Sequence, residues 1–363
     1  MRKHPLGISI AFLFFTGLKL VPPALAQNGS PVVIRAQQHD VSPALRDMVI
    51  PPQINKGRQR TGPVVRPARG PLTSSQPDPV AQVLAGVPVG ITTLVNFDGV
   101  DDAAQASQSG FLVVPPDTNG TVGATQFVQW VNLAFAVFDK RTGAKVFGPA
   151  AGNTFWGGFG GPCETNNSGD PVIQYDKAAG RWVAAQPVFV APFMYCLAVS
   201  TTSDATGRYN RYAFTFPAGA FPDYPKLGIW PDAYYATFNI FFASKFSGAM
   251  ACAYDRTNML AGNPASAVCF QEPSNVFSLL PSDVDGRRPP PAGSPNFVVG
   301  IADASDLQLF QFHVDFAKPK NSSFTGPTRS RWHRSAKSAI GPSIWLASPS
   351  RLPEKRWMRS VTG

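Results

Sequence analysis

Residues 169 to 185 read Gly169-Asp170-Pro171-Val172-Ile173-Gln174-Tyr175-Asp176-Lys177-Ala178-Ala179-Gly180-Arg181-Trp182-Val183-Ala184-Ala185. Two runs of strand length flank a turn in which Asp176 caps through its side chain and Gly180 accepts positive φ. An Asp-Pro pair opens the first run. The same entry recurs upstream as Pro115-Pro116-Asp117-Thr118-Asn119-Gly120 and downstream as Asp223-Tyr224-Pro225-Lys226-Leu227-Gly228, so Asp117, Asp170 and Asp223 follow one another at 53-residue intervals. A looser fourth member, Asp283-Val284-Asp285-Gly286, arrives about sixty residues later. The turn recurs too, in Phe138-Asp139-Lys140-Arg141-Thr142-Gly143 and Tyr254-Asp255-Arg256-Thr257-Asn258.

A period near 50 residues with about four strands per unit is the spacing of a β-propeller blade. The expected fold is therefore all-β and β-propeller-like over residues 91–327, with about four blades of repeat sequence and room for an incomplete ring. Further strand candidates fit this texture: Phe127–Val131, Phe135–Asp139, Cys196–Ser200, Tyr234–Phe238 and Leu307–Phe312. Each is a short run rich in Val, Phe, Tyr or Trp, bounded by Gly, Pro, Asn or Asp. No comparable segment carries a helical stripe.

Taken with Thr121-Val122-Gly123, Gly160-Gly161-Pro162-Cys163-Glu164, Arg208-Tyr209-Asn210-Arg211-Tyr212 and Ile229-Trp230-Pro231-Asp232, these entries resemble a family of large secreted bacterial proteins with propeller-like repeats. The resemblance spans about 91–327. It implies a fold and an exported location, and brings no catalytic residue to carry over.

The N-terminus points to export as well. Arg2, Lys3 and His4 precede an apolar stretch from Leu6 to Leu18, and Ala24-Leu25-Ala26 forms a small-residue box, the pattern of a signal peptide cleaved near Ala26. The stretch falls short of the roughly 20 apolar residues of a membrane span. A secreted or periplasmic product without stable membrane insertion is expected.

The net charge of +10 is unevenly spread. Residues 27–90 hold seven basic and three acidic residues, and 328–363 hold eight basic residues against Glu354 alone. Between 91 and 327, fourteen Lys and Arg face eighteen Asp and Glu. A folded basic face for nucleic acid is thereby excluded from the central domain. Recurrent proline and scattered apolar residues make 27–90 read as a basic, largely disordered linker. The Arg-, Ser- and Trp-rich stretch 328–363 reads as an irregular tail, out of frame with the repeats.

Cys163, Cys196, Cys252 and Cys269 form no CxxC pair, so structural disulfides are expected rather than zinc or redox chemistry. Of three connectivities, Cys163–Cys196 with Cys252–Cys269 is favoured because each pair would staple neighbouring strands. A loop of about 17 residues contributes roughly 3 kcal/mol on the chain-entropy estimate.

No catalytic set stands out. Gly-x-Ser-x-Gly and His-Glu-x-x-His are absent, and His313 is the one histidine of the central region. Carboxylates for glycoside chemistry could come from Asp117, Asp170, Asp223, Asp285 and Glu164, the repeated aspartates ringing the mouth of a channel. Capping of turns at each repeat entry is the competing expectation, because structural devices repeat and catalytic pairs break symmetry. Asp117, Asn119 and Asp170 are weak calcium candidates, offering oxygen ligands without EF-hand spacing. Phe155, Trp156 and Phe159, beside Gly157-Gly158 and Gly160-Gly161, could stack on sugars from a loop. The expected role is a secreted binding or scaffolding module for glycan or extracellular protein partners. An extracellular glycoside-acting enzyme and a truncated inactive relative are the alternatives.

Overall fold

The computed structural model describes residues 30–48, 93–286, 288–302 and 306–331. The chain is mostly β. Strand β1 is Val32–Val41, and sixteen further strands follow as four successive antiparallel meanders. The first meander comprises β2 (Asn119–Val122), β3 (Gln126–Val131), β4 (Ala134–Asp139) and β5 (Lys145–Ala151). The second comprises β6 (Val172–Asp176), β7 (Arg181–Val188), β8 (Met194–Ser200) and β9 (Tyr209–Thr215). In the third are β10 (Phe221–Ile229), β11 (Tyr234–Phe242), β12 (Lys245–Tyr254) and β13 (Ser266–Gln271). The fourth holds β14 (Leu280–Pro281), β15 (Asn296–Ile301), β16 (Asp306–His313) and β17 (Ser323–Arg331). Three short helices accompany them: α1 (Asp102–Ser109), α2 (Gly161–Thr165) and α3 (Arg256–Ala261).

The turns behave as their sequences dictate. Asp139 Oδ1 accepts from the backbone N–H groups of Arg141 and Thr142, both at 2.9 Å, and Asp176 Oδ1 from Ala179 N at 3.0 Å. Asp255 instead caps a helix, accepting from Asn258 N at the start of α3. The turn design thus yields a helix where no glycine follows within the turn.

Strand β1 corrects the linker expectation for its own residues. Val32–Arg35 pair with β13 and Ala36–Val41 with β9, so one strand joins the outer strands of the second and third meanders. The result is a nine-stranded antiparallel sheet in the order β10-β11-β12-β13-β1-β9-β8-β7-β6, whose edges β6 and β10 approach one another and nearly close it. Gln174 Nε2 of β6 reaches across that edge to Leu227 O of β10 at 2.7 Å. The clasp that β1 forms between β9 and β13 is held by charge as well as backbone. Arg211, 1 % exposed, grips Asp40 through Nε–Oδ1 at 2.8 Å and Nη2–Oδ2 at 2.6 Å. Leu45, just beyond β1, is fully buried. Residues 1–29, carrying the expected signal peptide, and 49–92 lie outside the described residues. At the other end β17 takes up Thr328–Arg331, so the irregular tail expected from 328 begins no earlier than 332 and lies outside the described residues.

Apolar clusters fill the space between neighbouring meanders. Trp130, Phe135, Trp182 and Ala198 pack between the first and second, and Leu197, Tyr195, Phe238 and Cys252 between the second and third. Tyr235, Phe270 and Phe312 join the third to the fourth. The outer face of the first meander is covered by Phe97, Val100 and Ala104 at α1.

Both favoured disulfides are present. Cys252 and Cys269 stand directly opposite each other on β12 and β13. Cys163 lies on α2 rather than on a strand, so its bond to Cys196 of β8 pins a helix against a sheet.

Candidate functional site

The aspartates of the repeat converge. Asp117 and Asp170 each stand two residues before the first strand of a meander, and Asp223 lies at an irregularity in β10 between Asp223 and Lys226. Asp117, Asp170 and Tyr224 have φ of 42°, 47° and 55°, left-handed backbone that turns each entry inward. Gly169, at φ 89°, precedes Asp170 where a Cβ would strike the Asn132 side chain.

Neighbouring repeats are tied together at the same spacing as the sequence period. Asn119 Nδ2 donates to Pro171 O at 2.9 Å and its Oδ1 accepts from Ile173 N at 2.9 Å. Asp283 Oδ1 accepts from Ile229 N at 2.7 Å. These ties, with Gln174 to Leu227, align the first strands β2, β6, β10 and β14 side by side, which brings their entries to one end.

At that end the charges form a single cluster. Asp117 faces the Asp170 carboxyl and accepts from Asn132 Nδ2 at 2.8 Å. Asp170 accepts from the Tyr224 backbone N–H. Lys226 Nζ sits 3.5 Å from the centre of the Tyr224 ring and is the cation facing all three aspartates. Burial pushes Asp170 up to about 7, helped by the charges of Asp223 and Asp117 and opposed by Lys226. Asp117 and Asp223 are also raised, chiefly by burial. Lys226 is lowered by its own burial, against the pull of the carboxylates. The cluster therefore sets Asp170, whose carboxyl keeps its proton up to about pH 7, near two further carboxyls and an ammonium.

Other candidates fall elsewhere. Glu164 on α2 spends both oxygens on the glycine loop, accepting from Gly158 N at 2.9 Å and Gly160 N at 2.7 Å. Asp285 is exposed and pairs with Lys177, and Asp283 is used on Ile229, so the fourth repeat does not join the cluster. Phe155, Trp156 and Phe159 are 1 %, 0 % and 3 % exposed, which overturns the expectation of a sugar-stacking loop. Phe155 stacks on Trp130 and Phe135, and Phe159 lies beneath the Arg211 guanidinium. The glycines turn the aromatics into the core and leave the loop backbone outside. Asn119, a calcium candidate, has its amide engaged between repeats. Among the described residues no group of three His, Cys, Asp or Glu is arranged to hold a metal ion.

Lys226, Tyr224 and Asn132 complete the cluster without having been singled out in the sequence. Lys226 carried the available signal, a lone cation three residues after a repeat aspartate and inside an apolar strand. A shallow pocket between Val100, Ala104 and Phe138 is lined by none of these residues. No helix among the described residues is long and apolar enough to cross a membrane. Comparison with protein-family models, curated proteins and solved structures gives no match for this chain.

Proposed function

We propose that the chain is an exported β-propeller-like module that binds a glycan or protein partner at the end marked by Asp117, Asp170, Asp223 and Lys226. Four consecutive four-stranded meanders, tied first strand to first strand at the repeat spacing, support the propeller reading. Two disulfides support an oxidising destination. The observation that carries the binding role is the meeting of three aspartates, each 53 residues from the next, around one lysine. Carboxylates accept hydrogen bonds, while the protonated carboxyl and the ammonium donate them. That mixture complements hydroxyl-rich ligands, so a glycan is the preferred partner class.

The glycoside-acting alternative draws on Asp170, held up to about 7 beside other carboxylates as a general acid requires. Repetition weighs against it, because Asp117, Asp170 and Asp223 stand at equivalent repeat positions, and a catalytic pair breaks symmetry while a structural device repeats. Glu164 has both oxygens engaged by the glycine loop. Calcium is a weaker occupant, since Lys226 already supplies a positive charge.

The test uses the mature chain from residue 27, because a fragment from 91 would lack β1. Glycan-array binding is measured beside a polysaccharide hydrolysis screen, with Asp170→Asn and Lys226→Met as variants. Binding without turnover, weakened at least tenfold in both variants, supports the module. Turnover abolished by Asp170→Asn transfers the case to the enzyme, and binding indifferent to both variants removes the cluster from the function.

A further inference from the structure

Asp170 differs from the other repeat aspartates in the residue that follows it. Thr118 follows Asp117 and Tyr224 follows Asp223, whereas Asp170 is joined to Pro171. Capping a repeat entry does not call for that proline. An Asp-Pro bond is open to attack by its own side chain. The β-carboxyl reaches the main-chain carbonyl carbon through a five-membered ring, and the proline nitrogen, a tertiary amide without N–H, leaves as a more basic amine than an ordinary peptide nitrogen. The fold strains the backbone here and holds both sides of the bond. Asp170 has φ 47°, left-handed backbone in a residue with a Cβ, directly after Gly169 at φ 89°. Gly169 and Pro171 are buried, while Asp170 is half-buried and open to water. Downstream, Asn119 Nδ2 donates to Pro171 O and Asn119 Oδ1 accepts from Ile173 N, both at 2.9 Å. Upstream, Asn167 Nδ2 donates to Leu133 O at 2.8 Å. The Cys163–Cys196 disulfide spans the bond, so a cut there leaves both new ends anchored and the two pieces covalently joined.

We propose that the folded chain cleaves itself between Asp170 and Pro171. The Asp170 carboxyl gives its proton to the Pro171 nitrogen, and one of its oxygens bonds to the Asp170 main-chain carbonyl carbon. The C–N bond breaks with its electron pair going to nitrogen, which leaves a cyclic anhydride on Asp170 and a secondary amine at Pro171. Water then opens the anhydride, so that Asp170 ends with two free carboxyl groups. The Asp117 and Asp223 carboxyls, the Lys226 ammonium and the Tyr224 phenol face the reacting group. Burial and the two carboxyls keep the proton on Asp170 up to about 7 against the pull of Lys226, so the carboxyl remains a proton donor close to neutral pH. The step needs no partner and stands apart from the binding role.

Incubation of the mature chain from residue 27, followed by intact mass and by gels with and without reductant, tests this. Unreduced protein should run as one species that has gained one water, and reduced protein should split into 27–170 and 171–363, the second piece beginning at Pro171. Cleavage should be at least about tenfold slower at about pH 9 than at about pH 6, since the protonated fraction of a group titrating near 7 falls about tenfold per pH unit above it. Asp170→Asn, which has no carboxyl to form the anhydride, and Pro171→Ala, which restores an ordinary peptide bond, should each slow the cut at least about tenfold. The wild-type chain supplies a control that does not depend on how the variants fold. Asp78–Pro79 is the other Asp-Pro bond of the sequence, and in urea the two bonds should behave alike. Native protein that stays whole after reduction overturns the proposal, as does cleavage at Asp78–Pro79 as fast as at Asp170–Pro171, or a cut at Asp170 that urea does not slow.

Discussion

The proton on Asp170 is held by its surroundings, and this has consequences for stability. An unfolded aspartate releases its proton near pH 4, whereas the folded one keeps it to about 7 because of burial and the neighbouring Asp223 and Asp117. The raised group contributes stability that is full below about pH 4 and is lost as pH rises through about 7. Melting temperature should therefore fall between those limits and level off above. Asp170→Asn, which mimics the protonated carboxyl, should flatten that slope and melt no lower than wild type at pH 8; an unchanged slope in calorimetry would show that the proton sits elsewhere. Lys226 opposes the rise, so Lys226→Met should move the apparent Asp170 titration above 7 in a carboxyl carbon NMR titration. A downward move or none would mean that the ammonium does not face the cluster. The repeat made these aspartates readable in advance, but their effect on one another was not, since it depends on three strand entries being brought to one point.

Among elements, β1 departs furthest from its sequence. Val32-Val33-Ile34-Arg35-Ala36-Gln37-Gln38-His39-Asp40-Val41 gathers most of its apolar residues in its first half, in a proline-rich neighbourhood, and its partners lie about 170 to 240 residues away. Local pattern reports one face of a strand and not the existence of a vacant place between two others. The meander strands, by contrast, carry their own hairpins, and Gln126–Val131, Ala134–Asp139 and Arg181–Val188 fall where apolar runs and turn residues put them. Strand β10 was masked differently, by Pro222, which stays in register opposite Ile240, and by Pro225, which fits because the pairing with β11 breaks register between Asp223 and Lys226. The energetic centre of the clasp is Arg211, which without Asp40 would remain a buried cation. Asp40→Ala should cost about 3 kcal/mol, the low end for breaking a buried pair because Asp40 is itself partly exposed. Urea unfolding measures it, and a loss under about 1 kcal/mol, the range of a surface pair, would mean that the ion pair is incidental to the clasp.

At the scale of the molecule the two disulfides divide the labour. Cys163–Cys196 closes a separation of 33 residues within the contact between the first two meanders, and Cys252–Cys269 closes 17 within the third. Chain-entropy estimates give roughly 3.5 and 3 kcal/mol for loops of these sizes, together about 6 to 7 kcal/mol. Domains commonly have only about 5 to 15 kcal/mol in total, so the bonds amount to a large part of whatever margin this chain has. The reduced protein should therefore lose several kcal/mol of unfolding free energy and shift its urea midpoint down by at least 2 M, taking a slope of about 1 to 3 kcal/mol per M. Unfolding curves with and without reductant, with the four thiols titrated to prove reduction, provide the measurement. A large shift ties folding to an oxidising compartment, in keeping with the Arg2 to Ala26 leader pattern and independently of it. An unmoved midpoint with four free thiols would instead leave the apolar contacts between meanders sufficient on their own, and the cysteines would then say nothing about where the chain works.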